Sequence, residues 1–148
     1  ENGREKLAAL ASTFQAIEAA YAPPREILAA IWGMESAYGY AMGNIDAPAA
    51  LASQAASGRR VEFNERELAA ILELIAQGRA TRDQFRRASW AGAVGHTQFM
   101  PTSFLAYGQD FDRDGRQDLW ANPGDALATA ANYLSAFGWR EGEPALRE

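Results

Sequence analysis

Residues 24–39 read Pro24-Arg25-Glu26-Ile27-Leu28-Ala29-Ala30-Ile31-Trp32-Gly33-Met34-Glu35-Ser36-Ala37-Tyr38-Gly39, and their periodicity separates a helical domain from a strand-built one. Ile31 follows Ile27 by four residues and Leu28 by three, and Tyr38 comes two turns later, which places these side chains on one face of an α-helix. Pro24 suits the first turn, where a missing N–H has no intrahelical partner to lose. Gly39 suits the end, because it adopts left-handed backbone without a Cβ penalty. Glu35 follows Ile31 by four residues and precedes Tyr38 by three, so a carboxylate falls on the apolar stripe, among residues expected to face the core or a cleft wall. Burial there disfavours the ionised form, raises the pKa and makes a general acid near neutral pH. The alternative is a surface glutamate at the stripe's edge, or one paired with a buried cation.

The same spacing recurs outward from this segment. Leu7, Leu10, Phe14, Ile17 and Tyr21 form one apolar face that Pro23-Pro24 stops, predicting a single N-terminal helix. Asp46 and Pro48 precede the small-residue stretch Ala49 to Ala56, a short helix ended by Gly58. Asn64 and Glu67 resemble a capping box opening the helix of Leu68, Ile71, Leu72 and Ile75, with Gly78 at its end and Thr81/Gln84 repeating the start signal. A glycine-punctuated segment, Ser89 to Met100, leads to a short helix from Pro101 through Phe104, Leu105 and Tyr107. Asn122, Pro123 and Asp125 start a last helix carrying Leu127, Ala130, Ala131, Leu134 and Phe137 before Gly138. Strand-like alternation, internal repeats and low-complexity tracts are scarce. The expected fold class is all-α, in a single domain over residues 1–148.

Bulk properties narrow the function. Apolar residues at 48% and charged residues at 22% match a globular chain able to bury its own core. A net charge of −5 gives no basic surface to release counterions from a phosphate backbone, so nucleic acid is excluded as a partner. Cysteine is absent, which excludes thiol nucleophiles and cysteine metal sites. No apolar run approaches the roughly 20 residues that span a bilayer. His96 is the single histidine, too solitary for a zinc site.

A second chemical pattern lies at Asp110-x-Asp112-x-Asp114-Gly115. Three carboxylates at alternate positions, with glycine at the turn, match the first half of an EF-hand calcium loop. Arg116 falls at the seventh position, where the loop uses a backbone carbonyl, and Asp118 at the ninth. The twelfth is Ala121, so the usual bidentate glutamate is missing. A structural Ca2+ is expected here, because clustered carboxylates repel one another without a cation.

Trp32-Gly33-Met34-Glu35-Ser36-Ala37-Tyr38-Gly39, followed by Gly92-Ala93-Val94-Gly95-His96-Thr97-Gln98-Phe99-Met100-Pro101, resembles the paired signature of the membrane-bound lytic transglycosylases of the B type. Ala131-Asn132-Tyr133-Leu134 and Gly138-Trp139 extend the resemblance, which runs from about Pro23 to Trp139. Ala88 and Val94 depart from it, standing where glycine and methionine are common. The resemblance implies a lysozyme-like catalytic core, trimmed at both ends, with Glu35 as sole catalytic carboxylate. It implies that Gln98 and Tyr133 line the cleft, that Ser89 orients Glu35 or the substrate, and that Tyr38, Phe63 and Met100 add apolar walls. Plain core packing competes for Tyr38 and Phe63. Arg59 and Arg60 match a family arginine pair, either solvated charge or contacts for peptide carboxylates. Asp125 would close the metal loop, or else is a first-turn aspartate favoured by the helix dipole. His96 would be a hydrogen-bonding loop residue.

Most glycosidases need two carboxylates, about 5 to 5.5 Å or 6.5 to 9.5 Å apart. No convincing second one presents itself: Asp46 reads as a cap, Glu67 as a capping-box partner, and Glu62, Glu65 and Glu73 as surface charge. The resemblance therefore implies substrate-assisted cleavage of the MurNAc-β-1,4-GlcNAc bond with 1,6-anhydro-MurNAc ends and no cofactor in the chemistry. The alternatives are a hydrolytic muramidase and a non-catalytic peptidoglycan-binding module. Peptidoglycan glycan strands are the expected partner, for a monomer in the bacterial periplasm or envelope whose membrane contact would be a lipid anchor.

Overall fold

The structure, a computed structural model, describes residues 2–140; Glu1 and residues 141–148, which the expected domain span includes, lie outside the described residues. Seven α-helices are present among them: α1 (Asn2–Ala9), α2 (Ala11–Ala20), α3 (Arg25–Ser36), α4 (Ala47–Ala56), α5 (Val61–Ala76), α6 (Pro101–Tyr107) and α7 (Pro123–Ala136), with a 3-10 turn at Gln84–Arg86. No named strand occurs in the described residues. The extended backbone there is limited to isolated bridges of Ile45 with Ala88, Ala88 with Val94, and Val94 with Phe99. The expected all-α class is the observed one, and among the described residues no helix is long and apolar enough to cross a membrane.

Local signals placed most of these helices, with four differences. The single N-terminal helix is two, broken at Leu10 (φ −113, ψ 27). Helix α3 stops at Ser36 rather than running to Gly39, because Ala37, Tyr38 and Gly39 turn left-handed in succession. Tyr38 therefore lies beyond the helix that was to carry it. Helix α5 begins at Val61, a turn before the expected capping box. Asn64 is buried inside it and donates to the Arg59 carbonyl at 2.8 Å. The box at Thr81 and Gln84 does form, with Thr81 N donating to Gln84 Oε1 at 2.8 Å and Gln84 N to Thr81 Oγ1 at 3.2 Å, yet it opens only the 3-10 turn. Asp46 and Asn122 cap α4 and α7 as their positions predict, accepting from Ala49 N and from Gly124 N and Asp125 N.

Two apolar cores result. One gathers Leu51, Ile71, Leu74, Phe85, Val94, Phe104, Leu119 and Trp120 around α4, α5 and α6. The other gathers Phe14, Ile17, Leu28, Trp32, Leu127 and Ala131 around α2, α3 and α7. Each large aliphatic or aromatic side chain buried in this way contributes about 1.5–3 kcal/mol. Phe99 packs against both clusters, and α7 supplies Ala126 to the first and Leu127, Ala128 and Ala130 to the second.

Helix α6 is short and is held at both ends by charged groups of other elements. Glu67 of α5, 3% exposed, accepts from Thr102 N at 2.9 Å and from Thr102 Oγ1 at 2.7 Å. At the far end Arg79 donates to the carbonyls of Phe104 and Leu105 at 3.1 and 3.0 Å, and its burial pulls its pKa down. Negative charge at the N-terminus and positive charge at the C-terminus both match the helix dipole. Glu67 is thus an inter-helix cap rather than the capping-box partner of Asn64.

Two stability outcomes are expected. Glu67→Ala leaves the half-buried Thr102 N–H and hydroxyl without their partner and should cost about 1–3 kcal/mol in urea unfolding, with Glu67→Gln milder. Gly95→Ala should cost a similar order, because Gly95 has φ +77 and a Cβ there would come within 2.5 Å of the Leu119 carbonyl oxygen; loss of folded signal on thermal denaturation checks it.

Candidate active site

A cleft of about 310 Å³ opens where α3, the Thr97–Met100 segment, α6 and α7 meet, lined by Ile31, Glu35, Thr97, Gln98, Phe99, Met100, Ser103, Ala130, Tyr133 and Leu134. Helix α3 buries Leu28, Ala29, Trp32 and Ser36, a face rotated from the Ile27–Ile31–Glu35 row. Ile31 and Glu35 of that row line the cleft. Glu35 is exposed to solvent in the free chain, which corrects the expectation of a buried carboxylate; of the two surroundings expected for its stripe, core or cleft wall, Ile31 and Glu35 have the cleft wall.

The loop opposite is shaped by its own backbone. Val94 and Phe99 exchange hydrogen bonds at 2.9 and 3.0 Å, closing a tight turn around Gly95–Gln98. Gln98 sits there with φ +52, and its Nε2 donates to the carbonyls of Gly95 at 2.9 Å and Met42 at 3.2 Å. Both amide hydrogens are therefore used within the protein, and the carbonyl oxygen is the group left for the cleft. Tyr133 of α7 meets Phe99 and Tyr107 edge-on, with ring centroids 5.6 and 5.2 Å apart, and lies 4.5 Å from the ring of Phe137, which is 66% exposed.

Of the residues singled out in the sequence, Glu35, Gln98, Met100 and Tyr133 share this lining. Ser89, Tyr38 and Phe63 are not among its residues. Ser89 Oγ accepts from Ala93 N at 3.0 Å and shapes the loop. Tyr38 packs edge-on to Trp32 at 5.4 Å, against the second core. Phe63 lies beneath the Arg60 guanidinium, 3.9 Å from its ring centre. Ile31, Thr97, Phe99, Ser103, Ala130 and Leu134 were not foreseen as cleft residues. Their apolar or small side chains at helical spacing look like core, and only the meeting of four elements makes them a wall.

In the acidic loop, oxygens of Asp110, Asp112 and Asp125 lie within 4.8 Å of one another. Asp114 N and Gly115 N donate to Asp110 at 3.0 and 2.9 Å, while Phe111 N and Asp118 N donate to Asp125 at 2.8 and 2.9 Å. Burial pushes the Asp125 carboxyl up, and the Phe111 and Asp118 backbone bonds oppose this. Asp114 and Asp118 turn elsewhere: Asp114 accepts from Arg116 N, and Asp118 from Trp120 N, Ala121 N and Gln84 Nε2. The ion pairs among the described residues, Arg25 with Glu18, Arg82 with Asp46 and Arg86 with Asp83, leave this cluster without a cationic side chain. An all-oxygen donor set of this kind fits a hard divalent cation.

The chain is similar in sequence and in fold to known proteins. The chain is 39% identical over 124 residues to membrane-bound lytic murein transglycosylase B of Escherichia coli (strain K12), covering 83% of this chain and 34% of that protein. Its fold is similar to that of SltB3 from Pseudomonas aeruginosa in complex with NAG-NAM-pentapeptide, with TM-score 0.92 and 45% identity over 97% of this chain and 38% of that one. It is similar too to the Escherichia coli lytic transglycosylase Slt35 in complex with calcium, with TM-score 0.90 and 33% identity over 97% of this chain and 46% of that one. The chain thus spans less than half the length of each of these relatives. All its residues, 1–148, match the family described as a transglycosylase SLT domain. By that match and by its lysozyme-like helical fold, the chain belongs to the SLT transglycosylase family.

Proposed function

We propose that this domain is a lytic transglycosylase core that cleaves the MurNAc-β-1,4-GlcNAc bond of peptidoglycan, leaving 1,6-anhydro-MurNAc ends. The observation that carries the reading is a single carboxylate, Glu35, among the ten residues lining the cleft. With no second acid on that lining to act as nucleophile or to activate water, a nucleophile supplied by the substrate fits best. The NAG-NAM-pentapeptide held by the similar SltB3 supports a glycan strand as occupant, which would put the protein in the bacterial envelope.

The steps follow from the one acid. A sugar seated over Ile31, Met100 and Tyr133 excludes water from the Glu35 side chain. Glu35 then gives its proton to the glycosidic oxygen as the C1–O bond breaks, and the acetamido oxygen of the same MurNAc stabilises the cation at C1. The resulting Glu35 carboxylate takes the proton of the sugar's 6-hydroxyl, whose oxygen bonds C1 and closes the anhydro ring. No water is consumed, and the tethered hydroxyl has the effective molarity of an intramolecular nucleophile. Gln98 would orient the sugar through its carbonyl oxygen, accepting a hydroxyl or amide proton.

Glu35→Gln should leave thermal unfolding unchanged and lower turnover of purified peptidoglycan by at least about 10²-fold. Mass spectrometry of the wild-type products should find ends lighter by one water than reducing ends. Substantial turnover by the variant would remove Glu35 from its role, and reducing ends would make the enzyme a hydrolase.

For the acidic loop we propose a structural Ca2+ held by Asp110, Asp112 and Asp125, a reading supported by the calcium complex of the similar Slt35. The ion would offset the mutual repulsion of these carboxylates and stiffen the connection into α7. The expected outcome is a rise in Tm with added Ca2+, equivalent to about 2.7 kcal/mol at a hundredfold excess over Kd. The rise should be absent in Asp112→Asn/Asp125→Asn, and calorimetry showing neither heat nor a Tm shift for the wild type would overturn the assignment.

A further inference from the structure

We propose that His96 is a positioning residue for the reaction: its imidazole accepts the Trp32 indole proton and so holds the helix carrying Glu35 in register with the loop carrying Gln98. Trp32 precedes Glu35 by three residues and Ser36 follows it directly, and both bond to this one histidine. Trp32 Nε1 donates to His96 Nδ1 at 3.0 Å, and Ser36 Oγ donates to the His96 carbonyl at 2.6 Å. Ser36 Oγ in turn accepts from Gly39 N at 2.9 Å, tying in the left-handed turn that ends α3. His96 N donates to the Leu119 carbonyl at 2.9 Å, anchoring the histidine to the segment behind the acidic loop. Two residues on from it lies Gln98.

The packing leaves the ring little freedom. His96 is 8% exposed, its ring stands edge-on to Trp32 with centroids 5.6 Å apart, and Gly39 presses against it. A Cβ at Gly39 would lie 2.3 Å from His96 Cε1 and 2.4 Å from Nδ1, at a residue whose φ is +91. Accepting from an N–H requires a lone pair on Nδ1, so the ring is the neutral tautomer with its proton on Nε2. Burial favours that neutral form, as do the charges of Lys6 from α1 and Arg87 from the neighbouring loop, while Asp118 and the Trp120 backbone bond oppose it. The bond is therefore between two buried groups that have no water to replace it. A displacement of about 1 Å between reacting groups costs on the order of 10² in rate, which is the scale on which a loosened α3 would be felt at Glu35.

The inference rests on Glu35 being the catalytic acid, and the experiment separates the two. His96→Leu removes the acceptor at similar volume, His96→Asn keeps an acceptor oxygen near the Nδ1 position, and Trp32→Phe removes the donor. With purified peptidoglycan strands as substrate, His96→Leu should lower kcat by about 10²-fold with KM nearly unchanged, and His96→Asn should recover most of that loss. Trp32→Phe should lower kcat comparably, and adding His96→Leu to it should cost little more, since coupled residues are non-additive. A merely structural histidine would lower the unfolding temperature without this kcat pattern. The proposal is overturned by wild-type kcat in His96→Leu or in Trp32→Phe, by His96→Asn no faster than His96→Leu, or by additive losses in the double variant. Should His96→Leu fail to fold, Trp32→Phe and His96→Asn carry the same decision. Turnover retained by Glu35→Gln would remove the catalytic assignment itself, whereas an inactive Glu35→Gln beside a fully active His96→Leu would remove only this inference.

Discussion

Seven consecutive residues of α7, Asp125 to Ala131, are buried, and the two cores meet along them. A helix enclosed on every side needs small side chains so that neighbours on all faces can approach it, and four of these seven are alanine. Ala126 belongs to the core around α4 to α6, whereas Leu127, Ala128 and Ala130 belong to the core around α2 and α3. Because α7 is shared, the two cores cannot shift independently, and the seam between them opens as the cleft that Ala130, Tyr133 and Leu134 help to line. Larger residues on this stretch would have to displace close-packed neighbours. The position of the cleft is thus a consequence of how tightly one helix is enclosed.

Polar groups then set the finer register. The short α6 takes its N-terminal acceptor from Glu67 of α5 and its C-terminal donors from Arg79, so Met100 and Ser103 at the cleft inherit their position from a helix on the far side of the first core. On the other wall, Trp32 and Ser36 tie α3 to His96. In both cases a buried hydrogen bond between distant parts of the chain fixes a cleft wall, where an unpaired group would be costly. Such bonds specify geometry more sharply than apolar contact, which tolerates sliding.

If Glu35 is the acid proposed above, its exposure changes how acid catalysis would work in this cleft. An acid buried in the free protein is tuned before substrate arrives. One that stands in an open cleft acquires its low-dielectric surroundings with the substrate, so binding and activation are the same event. The apolar wall of Ile31, Phe99, Met100 and Leu134 suits that role, since it offers a sugar face little but exclusion of water.

The local code was strong wherever a structure depends on neighbours in the chain. Apolar periodicity, Asp46 and Asn122 as caps, and Pro101 and Pro123 in first turns were enough to place five helices and the all-α class, because the groups involved lie within one turn of each other. The placing of Gln98 and Tyr133 beside Glu35 came instead from the resemblance of whole motifs to a known family, and the three residues do share one cleft lining. What the chain could not show was set by contacts between residues far apart in sequence. The Thr81 and Gln84 box formed and yet opened a single 3-10 turn; Glu67, read as a partner of Asn64, reached Thr102 instead. Whether the Ile27–Ile31–Glu35 row faced a core or a cleft depended on α7 and the Thr97–Met100 loop arriving opposite it, and periodicity along one helix carries no information about what stands across from it.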